Sequence, residues 1–105
     1  MIVENFGEGD AELLQEALMG LKKRQFAGAA VLVAVEEGKV HLLISVAAEL
    51  TQKVSAGELL KGLAPIVGGR GGGKADLARG AGDNSAKLDD LLEAAKGRLK
   101  GLAGA

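Results

Sequence analysis

Residues 67–83 read VGGRGGGKADLARGAGD, seven glycines in seventeen positions, set among Arg70, Lys74, Asp76 and Arg79. Closely spaced glycines present backbone amides with no Cβ in the way, so phosphate or ribose oxygens can come close, and cations at the rim add charge. A phosphate cradle, an RNA contact and a tight structural crossing, in which a strand passes under a helix, all fit this composition. The residues singled out for contact are Gly68, Gly69, Arg70, Gly71, Gly72, Gly73, Lys74 and Arg79, joined by Lys22, Lys23 and Arg24 if the fold brings them alongside.

The nucleotide-hydrolysing version of a cradle fits poorly. Gly68, Gly73 and Lys74 have the spacing G-x-x-x-x-G-K, but Ala75 stands where a magnesium-binding hydroxyl is required, and the preceding segment reads as a helix instead of a strand. The dinucleotide pattern G-x-G-x-x-G fails in the same window. Other groups have plainer readings. His41 is a partly covered strand residue, since a metal site needs more ligands than a chain with one histidine and no cysteine supplies. Glu36-Glu37 and Asp89-Asp90 are solvated pairs. Lys22-Lys23-Arg24 is a cation cluster that a helix C-terminus favours.

The elements that must position these groups follow from periodicity. Ile2–Phe6 alternates weakly as a short edge strand, and Gly7-Glu8-Gly9 breaks it. Asp10 caps a helix over about residues 10–24, with Leu14, Ala17, Leu18 and Leu21 on one face. Ala29–Val35 is uninterrupted and valine-rich, which marks a strand buried on both faces. Glu36-Glu37-Gly38-Lys39 is a turn, and Val40–Val46 completes a hairpin. Ser55 and Glu58 form a capping box, Val54 and Leu59 a hydrophobic staple, and Pro65 ends that helix. A last helix, capped by Asn84 or Ser85, carries Leu88, Leu91, Leu92, Ala95, Leu99 and Leu102 on one face. The predicted order is β-α-β-β-α-loop-α, with room for a short strand inside residues 73–79. The fold class is α/β (α+β mixed), a small sheet with a central valine-rich hairpin packed by about three helices.

Composition bounds the rest. One domain, residues 1–105, is expected from the length. Two aromatics, Phe6 and Phe26, cannot build a platform of stacked bases. A net charge of −1 argues against non-specific coating of nucleic acid, yet its distribution is uneven. Residues 1–20 hold five acids and no base, whereas residues 61–80 hold Lys61, Arg70, Lys74 and Arg79 against Asp76 alone. The N-terminus lacks a signal-peptide pattern and no apolar run spans a bilayer, so a cytoplasmic chain without a membrane partner is expected. No cofactor is expected.

Gly68-Gly69-Arg70-Gly71-Gly72-Gly73-Lys74-Ala75-Asp76-Leu77-Ala78 resembles the signature G-G-[RK]-G-G-G-[RK]-x-D-x-A of the C-terminal domain of alanyl-tRNA synthetases, and matches it at every named position. The chain is also similar, less closely, to the nucleic-acid-binding domain attached to DHH-type phosphoesterases. The resemblance implies a non-catalytic tRNA-binding domain, a fragment of a larger alanine–tRNA ligase. It implies tRNA(Ala) as partner, bound at its elbow, with the upstream aminoacylation and editing domains acting on the same tRNA. In some members the domain supports dimerisation, so a homodimer is a further expectation. The family domain usually begins with a long helical arm that this sequence lacks, so the chain reads as the globular half. By resemblance Asp76 fixes the loop, accepting backbone amides. The alternative from residues alone is a structural or oligomerisation module with no RNA contact. What separates the two is whether residues 22–24 share a face with residues 70–79.

Overall fold

A computed structural model describes residues 2–23 and 28–103. Its elements in chain order are β1 (Ile2–Glu8), α1 (Ala11–Lys23), β2 (Ala29–Glu36), β3 (Lys39–Val46), α2 (Ala56–Leu63), β4 (Arg70–Gly73), β5 (Leu77–Gly82) and α3 (Leu88–Ala103). The five strands form one mixed sheet in the order β1-β2-β3-β5-β4. β1 pairs with β2 in parallel, as a β-α-β unit requires, and every other pairing is antiparallel.

The period of two along the central hairpin sorts its side chains between two cores. Ala29, Val31 and Val33 of β2, with Val40, Leu42, Ile44 and Val46 of β3, turn toward α2 and α3, where Leu59, Leu60, Leu63, Leu91, Ala95 and Leu99 close over them. Ala30, Leu32, Ala34 and Leu43 turn the other way and meet Leu14 and Leu18 of α1. The uninterrupted apolar run of β2 is thus explained by burial on both faces. Glu37 and Gly38 both have positive φ, 50° and 80°, which gives the hairpin the tight two-residue turn whose twist matches its strands.

Several local expectations meet the structure directly. Asp10 accepts the amide of Leu13 at 3.0 Å and caps α1. Ser55 accepts the amide of Glu58 at 3.4 Å and caps α2. Three differ. Gly7 does not end β1. The register slips by one residue between Asn5 and Glu8, a bulge in which the Gly7 amide donates to Asn5 Oδ1 at 2.9 Å, and pairing with β2 resumes beyond it. Neither Asn84 nor Ser85 caps α3, because residues 85–87 form a 3-10 turn first and the helix begins at Leu88. The largest difference is the glycine stretch, expected as a loop with room for one short strand inside residues 73–79 and found as a β-hairpin, β4 and β5, completing the sheet. Arg24 and Phe26 lie outside the described residues, as does the side chain of Leu102.

Candidate nucleic-acid interface

The glycine hairpin is built by backbone proximity. β4 and β5 pair Arg70 with Ala81, Gly71 with Gly80, Gly72 with Arg79 and Gly73 with Ala78. Opposed residues share a face, so Gly71, Gly73, Ala78 and Gly80 look toward α2, while Arg70, Gly72, Arg79 and Ala81 look toward the side that carries α1. On the α2 side there is no room. A Cβ at Gly71 would meet the Arg79 carbonyl, the Gly80 Cα at 2.5 Å and Leu60 at 2.9 Å. One at Gly73 would meet the Leu77 carbonyl and the Ala78 Cα at 2.5 Å, and one at Gly69 the Ala81 carbonyl and the Gly82 Cα at 2.5 Å. Glycines at alternate positions let α2 lie directly on the hairpin. The crossing under α2 therefore accounts for Gly71, and the close approach of the β5 backbone for Gly69 and Gly73.

Gly72 is different, because a Cβ there would meet nothing within 4 Å. It stands between Arg70 and Lys74 on an edge strand whose four residues are all exposed. The amide of Lys74 donates to the Leu77 carbonyl at 2.8 Å. Hydrogen-bonded pairs alternate in an antiparallel ladder, so the amides of Gly72 and Arg70 also face β5, and those of Gly71 and Gly73 face out along the free edge of the sheet.

The turn between the strands docks on the start of α2. The amide of Ala56 donates to the Ala75 carbonyl at 2.8 Å and that of Gly57 to the Lys74 carbonyl at 3.1 Å. Ser55 takes the amides of Glu58, through its side chain, and of Leu59, through its carbonyl at 3.0 Å. The amides of Ala56, Gly57 and Glu58, the first three donors inside the helix, are thereby filled by protein oxygens, and that of Leu59 makes the first intrahelical bond. A phosphate has no place at this helix start, and the nucleotide-cradle reading of residues 68–75 fails on geometry as well as on Ala75, because β4 leads into β5 and no helix follows Lys74. Gly68, with φ 67°, closes the turn after α2 and sits beside Asp83, at the other end of the hairpin from Lys74.

On the α1 side the sheet is half covered. α1 lies over β2 and β3 and leaves β5 and β4 open. Arg79 closes a depression of about 330 Å³ with Gln15, Leu18, Met19, Leu43 and Leu77, and Met19 is 60% exposed at its wall. A second, also about 330 Å³, runs around the hairpin turn past Gly72, Lys74, Asp76 and Arg79. A third, about 220 Å³, lies under the end of α1 and is lined by Lys22, Ser45, Asp76 and Leu77 among others. Lys22 and Arg79 thus belong to one side of the molecule, with Arg70 and Lys74 beside them. Lys23 is exposed at the end of α1. His41 stands in the row Ala34–His41–Ala81–Arg70, half-buried, with Nε2 unpartnered. The ion pair found among the described residues joins Lys87 to Asp90 at 3.7 Å, so the cations of this face are not engaged by carboxylates. Asp76 holds the turn in another way than expected. Its carbonyl accepts the amide of Val46 at 2.9 Å, and among the described residues its carboxylate accepts no backbone amide.

Residues 1–101 match the model of the DHHA1 domain. The chain belongs to the DHHA1 domain family. It is 43% identical over 98 residues to an alanine–tRNA ligase of Streptococcus gordonii, covering 93% of this chain and 11% of that protein. It is 44% identical over 92 residues to an alanine–tRNA ligase of Neisseria gonorrhoeae, covering 88% of this chain and 10% of that protein. The chain thus spans about a tenth of the length of the curated relatives it matches. Among solved structures, the C-Ala domain from Aquifex aeolicus alanyl-tRNA synthetase superposes with a TM-score of 0.81 at 27% identity, covering 93% of this chain and 89% of that one. Among the described residues of this DHHA1 domain, no helix is long and apolar enough to cross a membrane, and no three His, Asp or Glu side chains group to hold a metal ion.

Proposed function

We propose that this DHHA1 domain is the tRNA-binding part of an alanine–tRNA ligase. It would hold the elbow of tRNA(Ala) and help the aminoacylation and editing domains of the parent enzyme act on the same tRNA in the cytoplasm. The observation that carries this reading is the shared face: Arg70, Lys74 and Arg79 stand on the open half of the sheet, with the amides of Gly71 and Gly73 along its edge, and Lys22, at the end of α1, lines an adjoining depression that shares Asp76 and Leu77 with theirs. The family membership and the likeness to a C-Ala domain support it. The contact is made to sugar and phosphate, and it reads the shape of the RNA more than its sequence. Lys23 extends the cationic end of α1, and Arg24, next in the sequence, is proposed to contribute to the same contact. Within the glycine signature, RNA contact falls to Arg70, Gly72 and Lys74, and to the outward amides of Gly71 and Gly73. Gly68 and Gly69 shape the approach of the hairpin.

A specific observation keeps the structural alternative in view: Gly69, Gly71 and Gly73 are required by packing alone. An assembly module that forms a homodimer would need them as much as an RNA-binding one. Titration of the chain into labelled tRNA(Ala) at low and moderate salt separates the two. The expected result is salt-sensitive binding that falls at least tenfold when Arg70 and Lys74 are both changed to Ala, with the circular dichroism unchanged. Absence of binding to any tRNA at low salt, with a dimer on a sizing column, overturns the proposal in favour of the assembly module.

A further inference from the structure

Asp76 is an acid placed at the cationic end of the sheet, and packing does not explain it. Its main chain is committed to Val46, but that bond would survive with any residue at position 76. Its carboxylate is exposed, and among the described residues it takes no hydrogen bond and joins no ion pair. Its position is central. Asp76 and Leu77 line both the depression shared with Lys22 and Ser45 and the one shared with Lys74 and Arg79. A surface meant only to attract phosphates is weakened by an anion among its cations, because like charges a few ångströms apart repel even through water.

We propose that Asp76 is a specificity residue for the bound nucleic acid. Its carboxylate accepts hydrogen bonds from neutral donor groups, which are ribose 2′-hydroxyls or the N–H groups of an unpaired base, while Lys22, Lys74 and Arg79 hold the phosphates on either side. The inference rests on the nucleic-acid reading above. The chemistry is complementary: an ionised carboxylate can only accept, a phosphodiester has no proton to donate, and the donors of an RNA strand are its 2′-hydroxyls and base edges. A strand that brings a donor to Asp76 gains a charge-assisted bond. A strand that brings a phosphate there is repelled.

The test turns on the sign of an effect. Binding of the chain and of its Asp76→Ala and Asp76→Asn variants is measured against tRNA(Ala) and its all-deoxy counterpart at one low salt concentration. Electrostatics alone predicts that removing the acid tightens both complexes, by about two- to threefold. The proposal predicts that Asp76→Ala loosens the tRNA complex by about tenfold or more. Asp76→Asn, which keeps a carbonyl acceptor, loosens it by less. If 2′-hydroxyls are the donors, the wild type prefers RNA and Asp76→Ala erases the preference. If base edges are the donors, the variant loosens RNA and DNA alike. Equal or tighter binding of both variants, with the wild type binding, overturns the role of Asp76 and leaves the RNA reading standing. A wild type that binds no nucleic acid overturns both. A urea midpoint for each variant reports its fold, and Asp76→Asn alone decides the matter if the alanine variant unfolds.

Discussion

The amide of Ala56 at the start of α2 donates to the carbonyl of Ala75, 19 positions later in the chain, at 2.8 Å, and Ala75 belongs to the turn that joins β4 to β5. Helix and hairpin are therefore one unit. The helix end that would attract an anion is already filled, so the cations of the open face and the outward amides of β4 are what remain to hold a polyanion.

At that helix start, Ser55→Ala removes the acceptor of the Glu58 amide and is expected to cost about 1 kcal/mol. In a domain of this size that lowers the melting temperature by roughly 4–8 °C. Binding of tRNA should be unchanged, since Ser55 lies on the α2 side. Thermal unfolding followed by circular dichroism, beside a binding titration, checks both halves.

Neighbouring glycines should behave oppositely. Gly71→Ala places a methyl group against the Arg79 carbonyl and Leu60, and is expected to destabilise by about 1–3 kcal/mol, as overpacking does. Gly72→Ala enters open space and should leave stability within about 0.5 kcal/mol of the parent, or raise it slightly. Urea denaturation of the two variants, one residue apart, is the comparison to make.

Leu60 is fully buried and packs over Gly71 and Gly80, whose missing side chains leave its methyl groups their place. Leu60→Ala should cost about 2–5 kcal/mol, a transfer cost plus a cavity that the glycine backbone cannot fill. A urea midpoint lowered without a change of slope would report this loss of stability in an otherwise intact fold.

Arg79→Ala and Lys22→Ala should each flatten the salt dependence of tRNA binding. The slope of log affinity against log salt is expected to become shallower by about 0.7–0.9 for each phosphate no longer neutralised. Lys96→Ala is the control, because Lys96 is exposed on α3, across the sheet from α1. A slope equally reduced by Lys96→Ala would mean that the interaction is diffuse and does not belong to the open face.

Wherever side chains carry a local signal, the sequence could be read alone. The valine run of β2, the Glu37-Gly38 turn, the caps Asp10 and Ser55 and the apolar stripes of α1 and α2 each act over a few residues, and each stands where periodicity and capping chemistry put it. The motif beginning at Gly68 was legible through resemblance, since its residues are specific even though their physics is mute. Glycine has no side chain to alternate, so nothing local distinguishes a glycine loop from a glycine strand. β4 and β5 are strands because β3 offers an edge and Leu60 offers a roof, and both are supplied from far along the chain. The same holds for the candidate face. Fifty-two positions separate Lys22 from Lys74 in the sequence, and they line adjoining depressions that share Asp76 and Leu77 because α1 packs on the sheet face to which the hairpin's cations turn. Spacing within a segment decides which residues point together. Which segments meet is settled by the burial of apolar faces against each other, and that is a property of the whole chain.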